Sequence, residues 1–315
     1  MGRLLPGKLP AKLPVKQLLL VLAAVATAYA LVLLVWGDRP AATLQRLYSL
    51  AGLQAAALCL LNYGLRGIRW RLWMAQHQRP LGRLQGLRLY LAGYAFTPTP
   101  GNLGEAVRGL MLAKNPLGTA QSLAIFGAER LADLLCLLLL SLPVAWWLLA
   151  RVPLQAAPLL FVGLGLAAVV GLLGLLFLVY KFRIGLLGRF PWVADAWRCL
   201  ASRPWTWLAL TLTAWAAQGL AVWLICREMG LALDVLAACG VYAVAMVAGA
   251  LSALPAGLGG TEAVLTGLLV AHGAAPATAV SITVLVRLLT LWLAVGIGVL
   301  ALLYSAAIRK EISFR

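Results

Sequence analysis

The sequence predicts an all-α polytopic membrane protein, with about six full transmembrane helices and two re-entrant helical hairpins in an inverted-topology repeat. Three observations predict it. Hydrophobic residues make up 63% of the 315 residues and charged residues only 11%, with a mean hydropathy of +0.95. A soluble domain averages about 45–50% apolar and about 25% charged, so soluble, disordered and disulfide-rich secreted classes are excluded. The apolar residues form long unbroken runs, where a barrel strand would alternate over about ten residues. Finally, two shorter apolar stretches each run into a Pro/Gly break.

The first element follows Arg3, Lys8, Lys12 and Lys16 and is apolar from Gln17 to Trp36. Ala28-Tyr29-Ala30 has the form of a signal-peptidase site. The run is long for a signal h-region, however, and at 1.5 Å per residue it crosses a ~30 Å core, so it reads as an uncleaved span. Further full spans fit Thr43–Leu65, Thr119–Leu149, Ala156–Tyr180, Trp205–Cys226 and Ala275–Tyr304. The stretches Leu81–Phe96 and Asp234–Leu254 end in Pro98-Thr99-Pro100-Gly101-Asn102-Leu103-Gly104 and Pro255-Ala256-Gly257-Leu258-Gly259-Gly260. Each is followed by an apolar segment of about eleven residues, too short to cross. A hairpin that enters halfway, turns at Pro/Gly and returns suits these lengths.

Charge sets the orientation. The net charge is +17. In a soluble chain that would suggest nucleic acid, but in a membrane protein basic residues fill cytoplasmic loops. They cluster in Arg66–Arg88, in Lys181–Arg203 and at Arg309, Lys310 and Arg315. These clusters and both termini are therefore expected in the cytoplasm, and nucleic acid is not expected as a partner. Phe190–Leu200, with Trp192 and Trp197, reads as a short interfacial helix.

The chain repeats itself at an offset of 157 residues, the interval from Glu105 to Glu262. Gly104-Glu105-Ala106-Val107 falls on Thr261-Glu262-Ala263-Val264, and Arg130-Leu131 on Arg287-Leu288 without a gap. Residues 1–315 are thus expected to form a single transmembrane domain. Its repeat units, 43–150 and 205–304, each run span, hairpin, span and start from opposite faces. Inverted repeats with broken helices and a midplane site are a transporter architecture.

Arg130 and Arg287 lie ~17–18 Å into their spans. Glu105 and Glu262 begin the half-helices. A charge facing lipid at that depth costs at least ~2.5–3.5 kcal/mol, so all four are expected to face the interior and find partners. Two readings stand. Glu105–Arg130 and Glu262–Arg287 are structural ion pairs that pin hairpins to spans, or they belong to a polar transport site. In the second reading Gly101, Gly104, Gly257, Gly259 and Gly260 leave backbone N–H groups bare at half-helix N-termini, a setting that binds phosphate. Arg108, Arg130 and Arg287 would then hold an anionic head group. Glu129 and Asp133 share a helical face with Arg130 nearby, whereas the second unit has Val286 and Thr290 there. Protonation of either acid would offer a coupling to a proton gradient; the alternative is a satisfied intrahelical pair. Arg66, Arg69, Trp70 and Trp73 read as an interfacial face, with Arg69 and Trp70 as contacts for anionic lipid.

Five cysteines are scattered with no CxxC, and only two histidines occur, His77 and His272. The cysteines read as small hydrophobes, and no metal site or cofactor is expected. No nucleophile elbow or Walker loop is present, so the chain is not expected to be an enzyme.

These residues resemble the lysylphosphatidylglycerol synthase transmembrane region, or flippase-like domain, family. The resemblance rests on Arg69-Trp70, Pro100-Gly101-Asn102-Leu103-Gly104-Glu105 with Arg108, Glu129-Arg130 with Asp133, Pro255-Ala256-Gly257-Leu258-Gly259 with Glu262, and Arg287. It implies a bacterial inner-membrane protein handling anionic or polyprenyl-phosphate-linked lipids. In the aminoacyl-lipid synthases this region is thought to move the lipid between leaflets while a separate soluble domain makes it. Eleven residues follow Tyr304, so synthesis is not expected here. The expectation is a lipid translocase, flippase- or scramblase-like. The alternatives are an intramembrane lipid-modifying enzyme and an accessory subunit partnering a lipid-biosynthesis enzyme.

Overall fold

The structure is a computed structural model that describes residues 15–112, 115–151, 191–252 and 254–308. Among the described residues every regular element is helical. Among the described residues, three helices are long and apolar enough to cross a membrane: Thr119–Leu148, Pro204–Glu228 and Pro276–Ala307. Pro40–Tyr48 with Leu50–Gln76, bent by 64° at their junction, makes a fourth if the pair is one span. The protein is a multi-pass, membrane-embedded helical protein. The expected span Ala156–Tyr180 lies outside the described residues.

The chain opens with α1 (Val15–Trp36) and a short α2 (Pro40–Gln45). Next comes α3, which runs Leu50–Gln76 rather than over the expected Thr43–Leu65. Both ends of that shift have local causes. The Ser49 hydroxyl accepts the Gly52 N–H at 3.1 Å and caps the helix there. Beyond Leu65 the helix continues because Arg66 and Arg69 find buried carboxylates.

The first hairpin is α4 (Arg83–Gly93), a 3-10 turn at Tyr94–Phe96 and a second 3-10 stretch at Pro100–Gly109. The expected half-helix after the first tip is therefore a tighter, irregular coil. α5 (Thr119–Arg151) follows, with Pro143 inside it. After α6 (Pro191–Ala201) comes α7 (Pro204–Glu228), whose proline sits in its first turn, where its missing N–H is not needed.

The second hairpin is α8 (Val235–Leu251), a 3-10 turn at Pro255–Gly257 and α9 (Gly260–Ala271). Asp234 caps α8 by accepting the Ala237 N–H at 2.9 Å. α10 (Pro276–Arg287) passes through a π turn at Leu288–Trp292 into α11 (Leu293–Ala307).

Packing is reciprocal. α3 lies along α7, α4 packs on α11, α8 packs on α5, and the two 3-10 tips meet. α1 packs on α10. Close approach between helices in lipid needs small side chains. Gly298 supplies one: a Cβ there would stand 2.5 Å from the Ala95 nitrogen.

α6 is amphipathic, with Ala196 and Cys199 buried and Trp192 exposed. It rests on α5, and Cys199 Sγ lies 3.5 Å from His77 Nε2 just beyond the end of α3. Burial pushes the Cys199 thiol up to about 12 and holds the His77 imidazole below its usual range. Both groups are thus neutral at physiological pH, and the thiol is a poor nucleophile. His77→Ala is expected to loosen α6 and speed maleimide alkylation of Cys199 several-fold at neutral pH. Peptide mass spectrometry separates it from the other buried cysteines. An unchanged rate would show that α6 does not depend on this contact.

Candidate functional site

One helix face of α3 carries Asn62, Arg66 and Arg69 inward. α5 brings Glu129, Arg130 and Asp133, and the first tip brings Glu105 and Arg108. Asp133 is the hub. Its Oδ2 lies 2.7 Å from Arg66 Nη2, and its Oδ1 accepts from Arg69 Nη1 at 2.8 Å and Trp215 Nε1 at 3.2 Å. Arg69 Nη1 also donates to Thr211 at 2.8 Å. Arg108 Nη1 donates to Glu129 Oε2 at 3.0 Å, and its other amine bonds Glu105. Thr97 donates to Glu105 Oε1 at 2.8 Å.

Aromatic rings complete the surroundings of these cations. The Arg108 guanidinium stands 4.3 Å over the Tyr90 ring, Arg66 5.2 Å over Trp215 and Arg69 5.2 Å over Trp73. Such contacts are worth about 0.5–2 kcal/mol each, more when desolvated. Gly93 makes room for Arg108: a Cβ at that position would meet Arg108 Nε at 2.0 Å.

Arg130 differs from the other three. Its Nη2 is 3.2 Å from Asp133 Oδ2 and 3.6 Å from Glu105 Oε2, but neither contact has hydrogen-bond geometry. Nε is without a partner, as it is in the other three, and the guanidinium stands 5.3 Å over the Phe126 ring. Its side chain is 31% exposed, against 0–8% for Arg66, Arg69 and Arg108.

The second cluster is smaller. Arg287 Nε donates to Glu262 Oε1 at 2.6 Å, and Nη2 donates to the Ala256 carbonyl at 2.9 Å. Tyr29 of α1 donates its hydroxyl to the same Glu262 oxygen. Ala256 sits at φ 53, a left-handed conformation costing roughly 1–2 kcal/mol for a non-glycine residue, and the bond from Arg287 holds its carbonyl. The π turn begins one residue after Arg287, and Tyr63 ties it by donating to the Leu289 carbonyl at 2.9 Å.

Between the tips is a cavity of about 70 Å³, room for several water molecules. Arg66, Glu105 and Arg130 line it from one half of the chain, and Gln218, Tyr242 and Arg287 from the other. The structure thus brings Arg130 and Arg287 to one polar space, with Glu105 beside them. Arg108, Glu129 and Asp133 belong to the cluster behind its wall and do not line it.

Two expectations are corrected here. Arg69 and Trp70 are not interfacial lipid contacts: they are 0% and 2% exposed and lie inside the bundle. The tip glycines are also less bare than expected. The Gly104 N–H donates to Thr99 Oγ1 at 2.8 Å, Gly257 N–H to the Leu254 carbonyl at 2.9 Å and Gly259 N–H to Glu262 Oε2 at 2.7 Å. Those three donors are already engaged, and the positive charge on the cavity wall is that of Arg66, Arg130 and Arg287.

The family model of the lysylphosphatidylglycerol synthase TM region matches residues 18–298. The chain belongs to that family. The match covers every charged residue of both clusters, together with Tyr29. A search of the curated proteins finds no match. Membership ties this family member to membrane-lipid function.

Sequence reasoning missed Tyr29, Thr97, Trp215, Gln218 and Tyr242 at the site. For Arg66 and Arg69 a signal was present. Asn62, Arg66 and Arg69 fall at i, i+4 and i+7, a polar stripe along an otherwise apolar helix.

Removing one partner of a buried ion pair costs about 3–5 kcal/mol, because it strands the other charge. Asp133→Ala strands Arg66 and leaves Arg69 with only a 3.7 Å contact to Glu129 as its ion pair, so it is expected to lower the melting temperature sharply or abolish recovery of folded protein. Arg130→Ala strands nothing and removes a surplus charge, so its melting temperature is expected to match or exceed wild type. A thermal melt of both variants in detergent checks the contrast.

Proposed function

We propose that the chain is a membrane lipid translocase, flippase- or scramblase-like, that moves an anionic phospholipid or polyprenyl-phosphate-linked lipid between leaflets. The head group would cross through the polar cavity between the two tips, with the hydrocarbon tails outside it. The observation that carries this reading is a charge imbalance. The first cluster holds four guanidinium groups, Arg66, Arg69, Arg108 and Arg130, against three carboxylates, Glu105, Glu129 and Asp133. Arginine does not deprotonate in proteins, so protonating a carboxylate only enlarges the excess. At least one positive charge is unmatched at that cluster, and Arg130 presents it to the cavity. A phosphate would supply the missing charge and a bidentate acceptor.

The wider arrangement proposed is six spans and two re-entrant hairpins, with units 43–150 and 205–304 related as an inverted repeat. The packing supports it. Exchanging the units turns the α4–α11 contact into the α8–α5 contact and leaves α3–α7 and the tip–tip contact unchanged. We place the protein in the cell inner membrane with both termini cytoplasmic, on the distribution of basic residues. We further propose that it is not an enzyme. The carboxylates of the first cluster are engaged by arginines or by Thr97 and Trp215, which leaves them poorly placed to meet a substrate as acid or base.

Leaflet exchange in proteoliposomes tests the reading, with labelled phosphatidylglycerol, other anionic phospholipids and a polyprenyl phosphate offered in turn. Wild type is expected to exchange at least one of them. Arg130→Ala is expected to slow that exchange at least tenfold, the scale of one charged hydrogen bond of about 1.5–3 kcal/mol. Arg130→Lys, which keeps the charge but not the fork, is expected to fall between. No exchange of any lipid by folded wild type would sink the proposal. Product formation from the lipid, or a stoichiometric enzyme partner, would then favour the alternatives.

A further inference from the structure

A second, larger space lies on the opposite side of the π turn from the polar cavity. It is an open slot of about 370 Å³ between α1, α2 and α10, within the range of ligand sites. Ala30, Leu33, Leu44, Val284, Leu288 and Trp292 line it, and all are apolar apart from the indole N–H of Trp292. Tyr29 is the remaining lining residue and marks its polar end. The Tyr29 ring packs edge-on against Trp292, with centroids 6.0 Å apart. Its hydroxyl reaches past the slot to Glu262, which holds Arg287 on the wall of the polar cavity.

Resting on the translocase reading, we propose that this slot receives one hydrocarbon chain of the transported lipid, and that Tyr29 is the latch between slot and cavity. The polar cavity, about 70 Å³ with Arg66, Glu105, Arg130 and Arg287 on its wall, is too small for a chain. The chain therefore needs an apolar path beside the head group's path. On the flank of the slot α1 exposes Leu31, Leu34 and Val35, and α2 exposes Leu44. In a membrane-embedded protein this flank faces acyl chains, so the occupant is hydrocarbon from the bilayer. At the inner end Tyr29 and Glu262 separate the slot from Arg287 on the wall of the polar cavity, where the head group would pass. α1 lies outside both repeat units. Its placement gives it a role the repeat does not need: to form one lip of the slot and cover Glu262 with Tyr29.

The test uses full-length protein in vesicles containing phosphatidylglycerol with a photoactivatable diazirine on one acyl chain. Irradiation is expected to label peptides carrying Leu33, Val284 or Leu288. Ala30→Trp fills the slot from a lipid-facing position. It is expected to cut that labelling at least fivefold and to slow exchange similarly. Leu44→Trp, on another lip, supplies the same block should Ala30→Trp not fold. Tyr29→Phe removes only the hydroxyl and is expected to change the exchange rate while leaving slot labelling intact. Labelling that never falls on these peptides, or that persists when the slot is filled, overturns the proposal. Wild type that is labelled in the slot in a manner Ala30→Trp blocks, but exchanges no lipid, leaves the chain site standing and defeats the translocase reading alone.

Discussion

The constraint on which the rest of the structure depends is that a buried guanidinium cannot shed its proton. Arg66, Arg69 and Arg108 are each almost wholly buried. In a low dielectric their charge is tolerable only next to a carboxylate, and the geometry of that match fixes where helices stand. Asp133 on α5 engages Arg66 and Arg69 of α3, and Trp215 of α7 completes its shell. One carboxylate thus ties three helices from two halves of the chain. Arg108 does the same for the first tip, joining it to Glu129 of α5. The tip's irregular 3-10 path is held by these bonds and by the Tyr90 ring, since a short coil of that kind has little stability of its own.

The two halves solve the same problem differently. In the second half one arginine meets one carboxylate, and the pair is closed by the Ala256 carbonyl and Tyr29. In the first half Glu105 takes its hydrogen bond from Arg108, three residues along its own segment, and Arg130 is left at ion-pair distance. On the proposed repeat Arg130 and Arg287 occupy equivalent positions, but Arg130 is only at ion-pair distance from its carboxylates whereas Arg287 is hydrogen-bonded to Glu262. An alignment of the two units alone would assign them the same role.

Much of this was legible in the sequence. The all-helical membrane class follows from composition, and the Pro/Gly breaks fall at the observed tips. The 25-residue interval from Glu262 to Arg287 names the residues now found 2.6 Å apart. What was not legible has physical causes. Basic residues after Leu65 read as a cytoplasmic cluster because hydropathy drops there, yet the helix continues to Gln76 with Arg66 and Arg69 turned inward. Hydropathy counts a charge as a cost and cannot know that Asp133, 67 residues from Arg66, will offset it. Glycine leaves the tip N–H groups uncovered by side chains, which in sequence reads as free donors, yet those of Gly104, Gly257 and Gly259 are engaged. Whether a turn consumes them depends on backbone angles that residue types do not determine. Tyr29 carries no sequence signal at all: it is one more aromatic residue in an apolar helix.

The imbalance of charge also decides where an anion would sit. Asp133 shares its two oxygens between Arg66 and Arg69, Glu129 is hydrogen-bonded to Arg108, and Glu105 to Arg108 and Thr97. Each carboxylate is engaged before Arg130 is considered, so the unmatched charge resides at the cavity wall rather than in the packed interior. An anion there gains from Arg130 without breaking a bond that holds the helices, and this separates binding from folding. Arg287 faces the same cavity from the other half, so on the proposed route an anion would pass from Arg130, held only at ion-pair distance from its carboxylates, to an arginine that Glu262 already neutralises. That difference in local field makes the two ends of the path unequal.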